Sequence, residues 1–221
     1  MINRQLEAMN FEQFKSYLFD REEAQHAWYQ EESYDDLVLP ATVIVELAGE
    51  IFANVGAYRL QYAERQLVDG LRFLIDPFGG LGDAFLDQTV STEVKVAAIR
   101  KMGKVFESLF FHTCRRPELF SSAGGQPRSY DSLCYMWWDV FPRHGIPSSA
   151  AMKEIDNSII DTIINGLSID NVACQEASLH GLGHWYLAKP DVVEEAIGNF
   201  LPIAPSILMT YAQSAAKGNV R

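Results

Sequence analysis

The sequence has little cysteine. Its three residues, Cys114, Cys134 and Cys174, form no CxxC pair. An odd number of widely spaced thiols argues against a disulfide framework or a cysteine zinc site, and for the reduced thiols of a cytoplasmic protein. The N-terminal stretch MINRQLEAMNFEQFKSYLFD has no apolar signal core. Long hydrophobic runs are also scarce. Leu37 to Val45 is interrupted by Pro40 and Thr42 and stops at Glu46, too short to cross a bilayer, so no membrane is expected. There is no GxSxG, SxxK, Walker A or GxGxxG pattern. Serine, phosphoryl-transfer and dinucleotide chemistries therefore have no support. Cations are outnumbered, 18 to 29, for a net charge of -11. An acidic body repels a phosphate backbone, which excludes general nucleic-acid binding.

What is present is apolar material in helical register. Hydrophobic residues make up 48% of 221 residues, enough for one large domain over 1–221 or one continuous helical array. The charge is uneven. Residues 1–90 carry 16 acidic and 6 basic side chains, whereas residues 91–150 carry 5 and 8. Residues 5–30 read as one helix or two, through Leu6, Phe11, Phe14, Tyr17 and Leu18, continuing to Glu22, Glu23, His26 and Tyr29. A charged loop, Glu31 to Asp36, leads to a helix from Pro40 to about Asn54, which Gly56 separates from Tyr58–Ile75. Pro77 and the run Phe78-Gly79-Gly80-Leu81-Gly82 break the period. With no preceding strand and no following Gly-Lys-Ser/Thr, a connector is a better reading than a phosphate cradle. Thr92 caps a helix over Glu93–His112. Residues 115–129 read as loop, Asp131–Phe141 as a short aromatic helix, and Ser148 or Ser149 caps a helix to about Asn165. Segments 191–201 and 205–216 close the chain, and nothing reads as a strand. The fold class is all-α.

The best-organised stretch is Asn171–Lys189, NVACQEASLHGLGHWYLAK. Val172, Gln175, Leu179, Leu182 and Tyr186 recur at spacings of three and four and predict one buried stripe. Ala177, Gly181 and Gly183 leave room for a neighbouring helix, Asp170 or Asn171 caps the start, and Pro190 follows the end. This pattern resembles the second helix of a HEAT repeat. Ala97, Ile99, Met102, Gly103 and Phe106 match Ala177, Leu179, Leu182, Gly183 and Tyr186 at an offset of 80 residues, the length of two such repeats. The resemblance implies a HEAT-like α-α superhelix of stacked antiparallel helix pairs, clearest over 91–216, with residues 1–75 fitting only as acidic amphipathic helices. It also implies non-catalytic binding of another protein.

Three constellations bear on chemistry. Glu176, His180 and His184 lie at i, i+4 and i+8 on one helix face, a spacing that suits metal ligation. However, the residue after His180 is Gly181 where a zinc protease has Glu, and the repeated His-Glu pairs of the di-iron HEAT-repeat hydroxylases are absent. The expectation is no metal and no cofactor, with the two His as polar residues on a helix rim. His112 and Cys114, beside Arg115 and Arg116, read as structural. The basic group Lys95, Arg100, Lys101 and Lys104 reads as a solvated face. No catalytic residue is assigned.

The leading expectation is therefore a cytoplasmic protein that binds a protein partner. The acidic Glu31, Glu32, Asp35 and Asp36 favour a basic one, and Trp137 and Trp138 are candidate contact residues. The alternatives are an acidic inhibitor or immunity-type protein masking a basic toxin or nuclease, and a small metal-dependent enzyme using Glu176, His180 and His184.

Overall fold

In the computed structural model, residues 9–22, 26–30, 37–115, 118–146 and 149–220 are described, and among them every regular element is helical. Helix α1 (Phe11–Phe19) opens with a capping box in which Asn10 and Gln13 each bond the other's backbone amide. It stops at Asp20, so of the two readings of residues 5–30 the single continuous helix does not form; Trp28–Gln30 is a separate 3-10 turn. α2 (Ala41–Tyr58) runs through Gly56, where a break was expected. A Cβ on Gly56 would stand 2.6 Å from the Ser108 side chain, so this glycine permits a close helix crossing. By length and composition α2 is apolar enough to cross a membrane. Here it buries Ile44, Val45, Ala48, Ile51, Phe52 and Val55 inside the fold.

α3 (Glu64–Ile75) follows a turn and ends at the glycine run. The amides of Leu81 and Gly82 bond the carbonyls of Phe73 and Asp76, at 2.8 and 3.0 Å. They are therefore spent on the end of α3, as a connector requires, and not offered to an anion. α4 (Thr92–Val105) is capped by Ser91, not Thr92, and continues as a π-helical segment, Phe106–Phe110, into a last turn, α5 (Phe111–Thr113). Lys95 does not share a solvated basic face. It is buried, and its ammonium donates to the Asp87 carbonyl at 2.7 Å. Within the expected loop, Phe120–Ala123 forms the short helix α6. Then come α7 (Tyr130–Val140), α8 (Lys153–Gly166), α9 (Val172–Trp185), α10 (Pro190–Phe200) and α11 (Met209–Ala215).

The helices form two rows. In one, α2 packs along α4 and α4 along α8. In the other, α1 packs on α3, α3 on α7, α7 on α9 and α9 on α11, while α8 and α9 join the rows. α9 is consequently buried nearly all round, not along one stripe: Cys174 through Gly183 and Trp185 are all inside. Small residues make that possible. A Cβ on Gly181 would stand 2.7 Å from the Trp138 ring, and one on Gly166 would stand 2.2 Å from the Ser178 hydroxyl. Asn171 starts α9, accepting from the Cys174 amide at 3.1 Å. Its own amide group donates to the carbonyls of Phe111 and Cys114, tying α9 to the end of α5.

The three cysteines are free, buried thiols. Trp137 and Trp138, the candidate contact residues, do not lie at the surface of this structure. Trp137 meets Phe52, Phe106 and Phe110 edge-on with centroids 5.8, 6.0 and 5.8 Å away, and Trp138 stacks on Phe106 at 5.7 Å. Both are buried, because α7 is sandwiched between α3 and α9. The acidic candidates Glu31, Glu32, Asp35 and Asp36 lie outside the described residues.

Candidate metal centre

The aligned polar face of α9 divides between two tasks. Glu176, buried in its second turn, accepts from the amides of Phe120 and Ser121 at 2.8 Å each and from the Ser121 hydroxyl at 2.6 Å. Its carboxylate is committed to the start of α6 and does not join the histidines. His180 and His184, one and two turns on, meet a carboxylate from another helix. Asp139 on α7 places both oxygens 3.1 Å from His180 Nε2 and one oxygen 2.6 Å from His184 Nε2. The two Nε2 atoms are 3.2 Å apart. The acidic member of the cluster is therefore Asp139, not Glu176.

Two tyrosines, Tyr135 and Tyr211, build the outer layer. Tyr135 stands one turn before Asp139 on α7, as His180 does before His184 on α9. His180 Nδ1 is 2.6 Å from the Tyr211 hydroxyl of α11, which is 3.0 Å from the Tyr135 hydroxyl. Tyr135 lies over the His180 ring, with centroids 4.3 Å apart. Burial pushes the Tyr135 phenol up to about 12. Burial, and then the bond to Tyr135, raises Tyr211 further, so both stay neutral hydroxyls. Burial alone would raise the Asp139 carboxyl; the hydrogen bonds from His180 and His184 outweigh it and hold the group below the usual carboxylate range. Asp139 is thus an anion beside two imidazoles.

Two of the three separations suit an ion. Ligand atoms that each lie about 2.1 Å from one metal stand about 3.0–3.4 Å from one another. The Nε2–Nε2 and His180–Asp139 separations, 3.2 and 3.1 Å, fall in that interval, and the three ligating atoms all lie within 4.8 Å. His184–Asp139, at 2.6 Å, is a hydrogen-bond length. A metal is also compatible with the proton inventory. If both His donate from Nε2 to Asp139, two N–H groups crowd each other at 3.2 Å. If both Nε2 lone pairs face an ion, the Nδ1 proton of His180 goes to Tyr211, the outer-shell bond that fixes a ligating tautomer. The His180 side chain is 1% exposed, Asp139 23% and His184 28%, so the centre meets solvent on the Asp139–His184 side.

The sequence pairs the histidines correctly but misses Asp139. It lies 41 residues before His180, beside Trp138 in a segment dominated by aromatic side chains. The available signal was a second polar i, i+4 pair, Tyr135 and Asp139, in the aromatic half of α7. No protein-family model, no curated protein and no solved structure matches this chain.

Proposed function

We propose that this is a metal-binding helical protein whose Asp139, His180 and His184 hold one divalent first-row transition ion, zinc being the reference case. The observation that carries this is the convergence of three ligating atoms from α7 and α9, with Tyr211 bonded to the outer nitrogen of His180. A surface cleft of about 570 Å³ is lined by residues 123–127, Ser129 and Asp131 and includes none of the three ligands. The sequence expectation of no metal rested on linear pattern alone, which does not register a carboxylate from a different helix.

The test uses protein purified without an affinity tag, stripped by chelator, dialysed against a slight excess of Zn²⁺ and then against metal-free buffer. About one zinc per chain is expected, falling below about 0.2 in His180→Ala, because a genuine site fills nearly completely. Metal content below about 0.2 in the unmodified chain would sink the proposal.

The second reading is a HEAT-like scaffold for a protein partner. Its support is the two-row layering, with α2, α4 and α8 in one row, α3, α7 and α9 in the other, and α8 packed on α9 as the two helices of a repeat are. The 80-residue match adds nothing to it, because α4 and α9 belong to opposite rows.

A further inference from the structure

The turn after α7 carries a third histidine to the same place. His144 is half-buried, and its ring centroid is 5.5 Å from that of His184, the more exposed of the two histidine ligands. We propose that His144 is the fourth ligand, closing the centre into a four-coordinate site of three histidines and Asp139. This rests on the metal reading above.

Three features support it. First, His144 Nδ1 is 3.3 Å from the Phe141 carbonyl. In the present orientation that acceptor takes the Nδ1 proton and leaves the lone pair on Nε2, the nitrogen left free for an ion. Second, the turn is held against the centre on both flanks of His144. Arg143 forms a two-pronged pair with Asp156 of α8, at 2.8 and 2.9 Å. Gly145, at φ +58°, lies against the His184 carbonyl so closely that a Cβ would come within 2.1 Å of that oxygen. Only glycine accepts both that conformation and that approach. Third, three of the chain's five histidines are thereby gathered within one small volume. His144 is not yet among the converging atoms, so ligation requires its ring to turn toward them on metal uptake. Four protein ligands without an open position define a structural site, whereas three with a water define a catalytic one.

The probe is Co²⁺, titrated into stripped unmodified protein, His144→Ala and His144→Cys, and read by visible absorption and by competition with a chelator. The unmodified chain is expected to give the intense visible bands of a four-coordinate ion. His144→Ala should bind about 100-fold more weakly or worse, since losing a ligand costs at least what losing an outer-shell partner does. Its bands should weaken as water enters. His144→Cys should restore affinity and add a thiolate-to-cobalt charge-transfer band, which a merely structural role for His144 does not produce. Far-ultraviolet circular dichroism of the stripped variants checks that the helices persist. If His144→Ala binds Co²⁺ within about threefold of the unmodified chain with an unchanged spectrum, the fourth-ligand assignment is overturned while the metal centre stands. If the unmodified chain binds no Co²⁺, both fall.

Discussion

Replacing Trp137 with alanine is expected to lower the free energy of unfolding by about 3–5 kcal/mol, the range for emptying a large buried aromatic site. The indole is fully buried. It joins α7 to α2 through Phe52 and to the π-helical segment through Phe106 and Phe110. No single neighbouring side chain can refill a cavity bounded by three separate backbones, so little of the loss is recovered. Trp137→Phe should cost no more than about half as much, because its Nε1 proton already finds no acceptor and removing it leaves nothing newly unsatisfied. The measurement is urea denaturation, in which the midpoint should fall with the slope unchanged. A partner-contacting tryptophan on the surface would behave oppositely, with Trp137→Ala within about 0.5 kcal/mol of the parent. That result would restore Trp137 as a contact residue and contradict the packing described above.

The helices were legible because their apolar residues repeat with a helical period, and that period survives in a stacked array. Pro40, Asn171 and the glycine run after Ile75 mark real boundaries. Errors arose where a local signal met a tertiary context. Gly56 reads as a breaker, but its missing side chain is what admits Ser108. The α1 period continues past Phe19 in sequence, yet the chain turns at Asp20, whose carboxylate accepts from the Ser16 hydroxyl at 2.5 Å. α9 reads as one stripe because Glu176 and His180 are polar. Both are buried because each has a polar partner from elsewhere in the chain.

The candidate centre was legible on one helix only. Spacing along α9 brings His180 and His184 together and offers Glu176 as the nearest acid. Periodicity within a helix does not reveal that α6 claims Glu176 first, nor that Gly181 lets α7 approach through Trp138 until Asp139 reaches both rings. The ligand set is a property of that crossing. Its sequence trace is the pairing of a glycine on one helix with a bulky side chain next to an acid on the other.

Asp156→Ala is expected to cost about 3–5 kcal/mol, because it leaves a guanidinium buried without its counter-charge. The Asp156 side chain is fully buried and that of Arg143 only 10% exposed. The remaining acceptor, the Ile146 carbonyl at 3.3 Å, serves one nitrogen of five-donor arginine. Such a pair is costly to break but not necessarily stabilising to possess, since both ions lost their water on folding. Arg143→Met with Asp156→Leu should therefore recover most of the loss and end within about 1–2 kcal/mol of the parent. What the apolar pair does not restore is the aim of the turn. Arg143 precedes His144 directly, and its two parallel bonds fix the orientation of that segment in a way methionine does not. The double variant should unfold near the parent's urea midpoint yet bind Co²⁺ more weakly, separating the stability of the turn from its positioning of His144. Asp156→Ala within about 1 kcal/mol of the parent would mean that water screens the pair as it does at a surface. The turn would then be held by the Gly145–His184 contact alone.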